Sequence, residues 1–449
     1  MKKIFYTAVF ATIASVSFAQ KNITNANDNN APLHALQPDY PTPYKVATKE
    51  SILANVDKIF NYLEAATPTH MIDAVSGQKW EPGQTYSDQI KFSKGDFRPI
   101  SYEWGVTYSG MLALHQLTGQ ERFKKYVFDR LSFIEKALPA AKEFSLQHPE
   151  KQHALRGLVY PKALDDIGAM SMGVIKAQRA GYTGDLSYVV QRAKDFILKE
   201  EHRLPDKTLV RIRPLHHTMW LDDLYMAIPA LLQMGVSTKD ESYFNEAIFQ
   251  YESYKKRMFN PNLNIFMHGY LEGADTHPEF HWGRANGWAI LTLCEMLEYL
   301  PANHPKRPVL LAQFKRHLSG LMALQDGTGF WHQLLDKNDS YLETSATAIY
   351  SYVMAKGINK GWLDVRIYAP SALLAYQAVQ SRISENGHVE GTCVGTGLAW
   401  DPAFYYHRPV SPFAAHGYGP VLLASSAILE MVSTYPFAIN DSAIHLKEK

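Results

Sequence analysis

The 449-residue chain has almost no net charge, only two cysteines and no apolar run long enough to cross a membrane permanently. Its formal net charge is +1 at pH 7, from 45 Lys and Arg against 44 Asp and Glu. A protein this close to neutrality has no general electrostatic attraction for nucleic acid or for an anionic membrane, so we expect neither as a partner. An acidic small substrate would need local arginines instead. Nothing in the sequence bears on the oligomeric state.

The scarcity of cysteine also limits cross-linking and metal binding. A disulfide between Cys294 and Cys393 is chemically permitted in an exported protein. However, Cys294 lies in an apolar helical pattern and Cys393 in a Gly-rich loop, so we expect two free thiols. Adjacent histidines such as His216 and His217 diverge along a backbone, and no His-x-x-x-His or cysteine cluster of ligand spacing is present. We therefore expect no metal and no cofactor.

The N-terminus has the pattern of a cleaved export signal. Lys2 and Lys3 precede an apolar run over 4–16, which ends in Ser17-Phe18-Ala19 with small residues at the cleavage positions. Residues 1–19 are therefore predicted to be a signal peptide without a membrane anchor, and residues 20–44 a flexible lead-in. We expect the mature protein to be periplasmic or secreted.

The rest of the chain, 45–449, is predicted to be one catalytic domain made of paired helices. Apolar helical patterns alternate with amphipathic ones, and the apolar members begin about 55–75 residues apart. Apolar helices inside and amphipathic helices outside describe an all-α (α/α)6 barrel of six helical hairpins. The inner helices of such a barrel run parallel, so their N-termini share one rim. Six chemistry-bearing residues lie at or just before predicted inner-helix starts: Trp104, Asp166, Asp222, Arg284, Thr344 and His416.

The most informative stretch is 215–229, which contains two adjacent aspartates before a helix that is apolar on all sides. We expect this helix to begin at Thr218, whose hydroxyl would cap the first turn. Buried charge is costly, so Asp222 and Asp223 indicate a site rather than a surface. The alternative is that both aspartates merely favour the positive end of the helix. The aromatic and histidine side chains in the same turn favour an acid/base site that binds sugar.

A second segment, His281-Trp282-Gly283-Arg284-Ala285-Asn286-Gly287-Trp288, combines two tryptophans with an arginine. Tryptophans can stack on sugar rings, and a guanidinium can pair bidentately with a carboxylate. The alternative is a core tryptophan pair with an arginine that closes a helix end. Asp165-Asp166 repeats the form of the central aspartate pair, and one of the two is expected to support the site. The segments 330–333 and 391–397 are expected to be rim loops, and the second lacks the features of a phosphate-binding loop.

These motifs resemble the unsaturated rhamnogalacturonyl hydrolases of glycoside hydrolase family 105, which are related to the unsaturated glucuronyl hydrolases of family 88. The resemblance covers most of the mature chain. It rests on Met219-Trp220-Leu221-Asp222, the Trp282-to-Trp288 segment, Glu343-Thr344-Ser345-Ala346 and His416-Gly417-Tyr418-Gly419-Pro420. It implies an (α/α)6 barrel, in agreement with the helix pattern. It also implies removal of a 4,5-unsaturated uronic acid from the non-reducing end of lyase-generated oligosaccharides of rhamnogalacturonan or ulvan type.

The resemblance further assigns roles to individual residues. Asp222 corresponds to the general acid/base and Asp166, in Asp-x-Gly, to its assistant, while the Trp-x-Arg segment and His268 contact the sugar. One departure is Arg211-Ile212-Arg213, where the family often has His-Lys. We expect burial and a neighbouring carboxylate to raise the pKa of Asp222. The candidate substrate-binding residues are Tyr102, Trp104, Arg211, His217, Trp220, His268, Trp282, Arg284 and Trp288.

Two other functions remain open from the sequence. An inverting glycosidase on saturated uronate-containing sugars would use Asp166 and Asp222 as base and acid, about 6.5–9.5 Å apart. A non-catalytic periplasmic oligosaccharide-binding protein would have an aromatic cleft without a buried carboxyl pair, and the aspartate pairs argue against it.

Overall fold

The structure, a computed structural model, describes residues 29–30, 44–440 and 443–447. The predicted signal peptide, and all of the predicted lead-in except Asn29, Asn30 and Tyr44, lie outside the described residues. Residues 43–439 and 444–449 form one compact unit. A second unit comprises residues 1–42 and 440–443, of which only four residues are described.

The described part of the chain is mostly helical. Its α-helices are α1 (Lys49–Ala66), α2 (Tyr102–Thr118), α3 (Glu121–Gln147), α4 (Arg156–Val159), α5 (Gly168–Arg179), α6 (Ser187–Asp195), α7 (Asp223–Thr238), α8 (Glu241–Met258), α9 (Gly283–Tyr299), α10 (Arg307–Met322), α11 (Thr344–Asn359), α12 (Val365–Gln380), α13 (Pro402–Tyr406) and α14 (Tyr418–Thr434). Short 3-10 helices cover Leu164–Asp166 and Ala415–Gly417, and a π-helix, Phe196–Glu200, extends α6. Among the described residues, none of the helices combines the length and the apolar character needed to cross a membrane.

The described residues include ten short strands, eight in the connections between helices and two after α14. They are β1 (Met71–Asp73), β2 (Ile90–Phe92), β3 (Thr218–Trp220), β4 (Phe259–Asn260), β5 (Ile265–Phe266), β6 (Gly269–Leu271), β7 (Trp331–His332), β8 (Leu342–Glu343), β9 (Phe437–Asn440) and β10 (Ala443–Leu446). Antiparallel pairs join β1 with β2, β3 with β6, β4 with β5, and β7 with β8. Each pair is too short to form a core of its own and instead shapes a loop of the helical rim.

Six helices pack in a closed ring, in the order α2, α5, α7, α9, α11, α14 and back to α2. The outer helices α3, α6, α8, α10, α12 and α1 each pack mainly on one of them. The helix α1 completes the last hairpin because it packs on α14. The inner helices are buried around most of their surface, and α9 is buried continuously from Gly283 to Leu297. The predicted (α/α)6 barrel is therefore confirmed, with six hairpins and inner helices that start at one rim.

Glycines allow the inner helices to approach closely at that rim. A Cβ atom on Gly168, the first residue of α5, would lie 1.5 Å from the carbonyl oxygen of Met226 on α7. A Cβ on Gly105 of α2 would lie 2.1 Å from the carbonyl oxygen of Ala169. Any larger residue would force these helices apart, so the glycines determine how tightly the helix starts converge.

The predicted start of the central helix at Thr218 is wrong. Thr218–Trp220 forms β3, paired with Gly269–Leu271, and α7 begins only at Asp223. The Thr218 hydroxyl donates to the carbonyl of Leu215 instead of capping α7. The β-branched and aromatic side chains of this segment suit a strand, and the partner strand lies about fifty residues further along the chain. Asp222 therefore occupies the N-cap position rather than an interior turn.

Candidate active site

The β3–β6 pair places Asp222 beside a histidine from another part of the chain. Trp220 is registered against Gly269, and the Leu221 amide donates to the carbonyl of His268 at 2.9 Å. As a result, Oδ2 of Asp222 lies 3.1 Å from Nε2 of His268. Asp222 is 9% exposed, and His268 is fully buried. The site therefore contains a carboxyl that is nearly enclosed and has a defined hydrogen-bond partner.

His268 is held on its other side by a tyrosine. Its Nδ1 lies 2.8 Å from the hydroxyl of Tyr405, and its ring packs edge-on against Trp282 at 4.7 Å. The Tyr405 hydroxyl also donates to the carbonyl of Ala399 at 3.3 Å, so the tyrosine is itself held in place. Tyr405 comes from the short helix α13, and no sequence pattern links it to the site. The Asp222–His268–Tyr405 chain fixes the orientation of the imidazole and, through it, of the carboxyl group.

The expected rise in the pKa of Asp222 is wrong. Burial alone would raise the pKa of this carboxyl, but the hydrogen bond from His268 and the charges of His268, Arg211 and Arg284 lower it. Together these favourable interactions outweigh burial, and the pKa of Asp222 lies below its usual value. The free protein therefore holds Asp222 as a carboxylate near neutral pH.

Arg211 is a structural cation rather than a free substrate ligand. It is 4% exposed, and its guanidinium bonds both Asp223, at 2.5–3.1 Å, and Asp165, at 2.9 Å. The same guanidinium lies 4.2 Å from the ring centre of Trp220. Burial raises the pKa of Asp223 to about 6 in spite of Arg211, and the nearby Asp165 and Asp222 add to the rise. Arg211 thus joins the two aspartate pairs into one charged network beneath the site.

The two aspartates before α5 have different roles from those expected. Asp166 accepts backbone N–H groups of Lys162 and Ala163 at 2.7 and 3.2 Å, so its carboxyl caps its own turn. Asp165 is the member of the pair that bonds Arg211. The choice of Asp166 as the assisting carboxyl therefore finds no support in these contacts. Local sequence could not separate two adjacent aspartates, because only the position of Arg211 distinguishes them.

Arg284 is also occupied by the protein itself. It is 1% exposed, and its terminal nitrogens donate to the carbonyls of Cys393 and Val394, both at 2.7 Å, and to Ser345 at 3.3 Å. Buried Glu343, the N-cap of α11, accepts from the Cys393 amide at 2.9 Å. Arg284 and Glu343 together hold the 393–394 loop over the rim. The expected bidentate pairing of Arg284 with a substrate carboxylate would require these bonds to break.

A tyrosine, a histidine and a glutamate form a second group at the start of α2. The hydroxyl of Tyr102 lies 2.5 Å from Nε2 of His416, and Oε1 of Glu103 lies 3.4 Å from the same nitrogen. Burial, assisted by the charge of Arg284, holds the pKa of His416 well below its usual value. Burial raises the pKa of Glu103. Glu103 was missed in the sequence, whereas His416 was already indicated by its place at an inner-helix start.

The candidate aromatic residues divide between the site and the core. Trp220 is half-buried next to His268, and Trp282 packs on His268 and donates to Gln333. Trp288 is buried, stacked on Tyr225 at 5.1 Å. Trp104 is a correction: it is fully buried, stacked on Phe97, with its N–H bonded to Tyr126 of the outer helix α3.

His217 is the candidate that the structure leaves outermost. Its side chain is exposed, in the turn before β3, with a φ of +63°.

The structure thus links Asp222, His268, Trp220, Trp282, Arg211 and Arg284 by direct contacts or close charges. The charges of Asp165, Arg284 and Asp222 also act on Tyr102. Within the described residues, no group of three or more His, Cys, Asp or Glu could hold a metal ion. Cys294 and Cys393 are buried free thiols, which agrees with the expectation for the cysteines.

The chain matches the family described as Glycosyl Hydrolase Family 88 over residues 57–432. That match covers the helical ring except the last two residues of α14, and it includes every residue of the site. The chain belongs to this family.

Relatives of this family 88 chain include two curated proteins with named substrates. It is 30% identical over 213 residues to the unsaturated rhamnogalacturonyl hydrolase YesR of Bacillus subtilis, covering 47% of this chain and 60% of that protein. It is 28% identical over 215 residues to an unsaturated 3S-rhamnoglycuronyl hydrolase of Alteromonas sp., covering 47% and 51%. The chain thus spans between half and about 60% of the length of these curated relatives.

Solved structures show the same fold. A possible family 105 member from Salmonella enterica superposes with a TM-score of 0.67 at 23% identity, over 89% of this chain and 97% of the other. The unsaturated glucuronyl hydrolase of Bacillus sp. GL1 superposes with a TM-score of 0.55 at 15% identity, over 84% and 96%. At these identities the likeness concerns the helical barrel, and the activity has to be argued from the site.

Proposed function

We propose that this family 88 chain is a glycosidase that removes a 4,5-unsaturated uronic acid from the non-reducing end of lyase-generated oligosaccharides. The observation that carries the proposal is the enclosed carboxyl of Asp222, positioned by His268 and Tyr405 next to Trp220 and Trp282. A sugar ring against the half-buried Trp220 would present its edge to a single carboxyl, while the buried Trp282 packs behind His268. The names of the curated relatives, which act on unsaturated rhamnogalacturonyl and 3S-rhamnoglycuronyl substrates, support the same reaction.

One carboxyl is sufficient for this chemistry. An unsaturated uronate is an enol ether, so a proton delivered to C4 leaves positive charge shared by C5 and the ring oxygen. Water then adds at C5, and the carboxylate that gave the first proton takes one from that water. The resulting hemiketal opens to a ketone, and the hemiacetal left at C1 releases the neighbouring sugar. Asp222 alone donates the first proton and recovers one from water. This distinguishes the reaction from that of glycosidases that need two flanking carboxyls.

The low pKa of Asp222 in the free protein needs an explanation in this mechanism, since the first step requires a proton on the carboxyl. Substrate binding provides this explanation. A bound uronate brings a like charge near Asp222 and displaces water from its surroundings, and both effects raise the pKa of a carboxyl. Substrate binding and protonation of Asp222 are therefore expected to be coupled.

The direct test is incubation with a panel of lyase-generated oligosaccharides, beginning with rhamnogalacturonan and ulvan products. We expect the ultraviolet absorbance of the conjugated double bond to disappear as the terminal uronate is released. Saturated oligosaccharides of the same sequence are the matched control. A low carboxyl pKa also suits a general base, so cleavage of the saturated set alone would favour the inverting glycosidase on saturated uronate-containing sugars.

We also propose that the protein is exported, with the signal in residues 1–19 removed, and acts in the periplasm or outside the cell. The Lys2-Lys3 start, the short apolar run and the small residues before Gln20 support this. The mass of the mature N-terminus, measured on protein recovered from the exported fraction, tests it. An intact Met1 on the active protein would contradict it.

A further inference from the structure

A cavity of about 400 Å3 opens at the barrel rim between the starts of α2 and α5. Its lining includes three basic residues, Arg98, Arg156 and Lys162, together with Tyr102 and Asp165 from the active site. We infer that this cavity is a subsite for an anionic group, a carboxylate or a sulfate ester, on the sugar that leaves. The inference rests on the proposed hydrolysis of unsaturated oligosaccharides and specifies which leaving sugars are preferred.

The three basic side chains are not engaged in ion pairs or hydrogen bonds with other described residues. None of them forms an ion pair or a side-chain hydrogen bond there, although the chain pairs most of its other arginines. Arg156 is half-buried, and its Nε and Nη1 are enclosed without a hydrogen-bond partner. Its guanidinium lies 5.3 Å from the ring centre of Tyr160, which holds the cation at the cavity wall. Enclosed donors without partners are costly, so a ligand that accepts from Arg156 would be favoured.

The cavity lining also includes three acidic residues, Glu103, Asp165 and Asp166, and none of them forms an ion pair with the three cations. Asp165 accepts two bonds from Arg211 at 2.9 Å, and Asp166 accepts two backbone amides. Oε1 of Glu103 faces His416 at 3.4 Å. The formal charges of the lining therefore balance, but its three cations are not ion-paired. An anion that reaches them would gain charge-assisted hydrogen bonds at short range.

The position of the cavity fits the leaving sugar better than the uronate itself. Asp222 is next to Asp223, Asp223 binds Arg211, and Arg211 binds Asp165, which lines the cavity. The cavity is thus separated from the reacting carboxyl by one salt-bridge network. A uronate whose C4 is at Asp222 would place the next sugar, rather than its own carboxylate, toward this part of the rim. The basic side chains of Arg98, Arg156 and Lys162 would then pair with an anionic group carried by that sugar.

The test compares three unsaturated disaccharides that differ only in the leaving sugar: neutral, carboxylated or sulfated. For Arg156→Met we expect kcat/KM to fall about ten- to a hundredfold on the preferred anionic substrate, as for loss of a hydrogen bond to a charged group, and by less than about twofold on the neutral one. Arg156→Lys should recover part of the loss. Arg366→Met, on the outer helix α12 and 76% exposed, is the matched control and should leave all three rates unchanged.

The two anionic substrates distinguish carboxylate from sulfate recognition, and raised salt should weaken the preference in wild type but not in Arg156→Met. If Arg156→Met does not fold, Arg98→Met and Lys162→Met, both exposed, carry the same comparison. Equal losses on neutral and anionic substrates, or a wild type without preference, would overturn the subsite. Wild-type turnover of the neutral disaccharide keeps this outcome separate from failure of the proposed reaction, in which none of the three would be cleaved.

Discussion

Replacing Asp222 by asparagine removes the proposed acid while keeping the shape of the site. The amide oxygen of asparagine can still accept from Nε2 of His268, which lies 3.1 Å from the present carboxylate. The start of α7 should also survive, because the backbone carbonyl of residue 222 accepts the amides of Tyr225 and Met226. Asparagine is itself a favourable N-cap residue. We therefore expect Asp222→Asn to fold and to bind substrate.

The loss of activity should be large. General acid–base catalysis contributes about 10²–10⁴-fold, so losing the proton donor should raise the barrier by about 3–5 kcal/mol. The stability effect has a predictable sign. Because the pKa of Asp222 is lowered by folding, its charge stabilises the native state above the unfolded pKa, and that contribution is lost as the pH falls through the folded pKa. The variant should thus be less stable than wild type at neutral pH, and the difference should vanish in acid.

Turnover is followed by the loss of double-bond absorbance, binding by calorimetry and stability by urea unfolding at several pH values. Asp195→Asn, on the outer helix α6 and paired with Lys199, is the matched control for removal of an aspartate. If Asp222→Asn keeps more than about a tenth of wild-type turnover, Asp222 is not the proton donor. A variant that loses binding as well as turnover would instead indicate that the charge of Asp222 organises the site.

Three further predictions concern the charges around Asp222. Because the reaction requires the protonated carboxyl, kcat/KM should fall as the pH rises through the lowered pKa of Asp222 in the free enzyme, and kcat should fall only at higher pH. Identical pH profiles for kcat/KM and kcat would show that the substrate does not raise the pKa of Asp222. Arg284→Ala removes the bonds to the 393–394 loop, so kcat/KM should fall equally for an unsaturated uronate and its methyl ester. A loss confined to the free acid would make Arg284 its direct partner. Arg211→Met leaves Asp223 and Asp165 without their cation and should lower the free energy of unfolding by about 3–5 kcal/mol in urea titrations at neutral pH; unchanged stability would refute a structural role.

The sequence by itself determined the barrel and the place of the site. Burial around the whole of a helix requires apolar residues on every face, whereas an outer helix needs only one apolar face, so the two kinds of helix are readable from local pattern. The parallel inner helices then place their starts at one rim, which brought Asp222, Arg284 and His416 to the same end without any knowledge of contacts. The predicted start of the central helix at Thr218 was wrong, because Thr218–Trp220 forms a strand.

Tertiary structure alone decided what each of these residues does there. Thr218 pairs with Leu271, His268 reaches Asp222 and Tyr405 supports His268 through hydrogen bonds between segments 46 to 137 residues apart. The sign of the Asp222 pKa shift depends on the distances to those partners, and no local pattern contains them. Arg284 is a residue type that commonly binds carboxylates, but here it donates to a backbone carbonyl 110 residues away. Residue type limits which interactions a side chain can make, and only the packed geometry selects the partner that satisfies it.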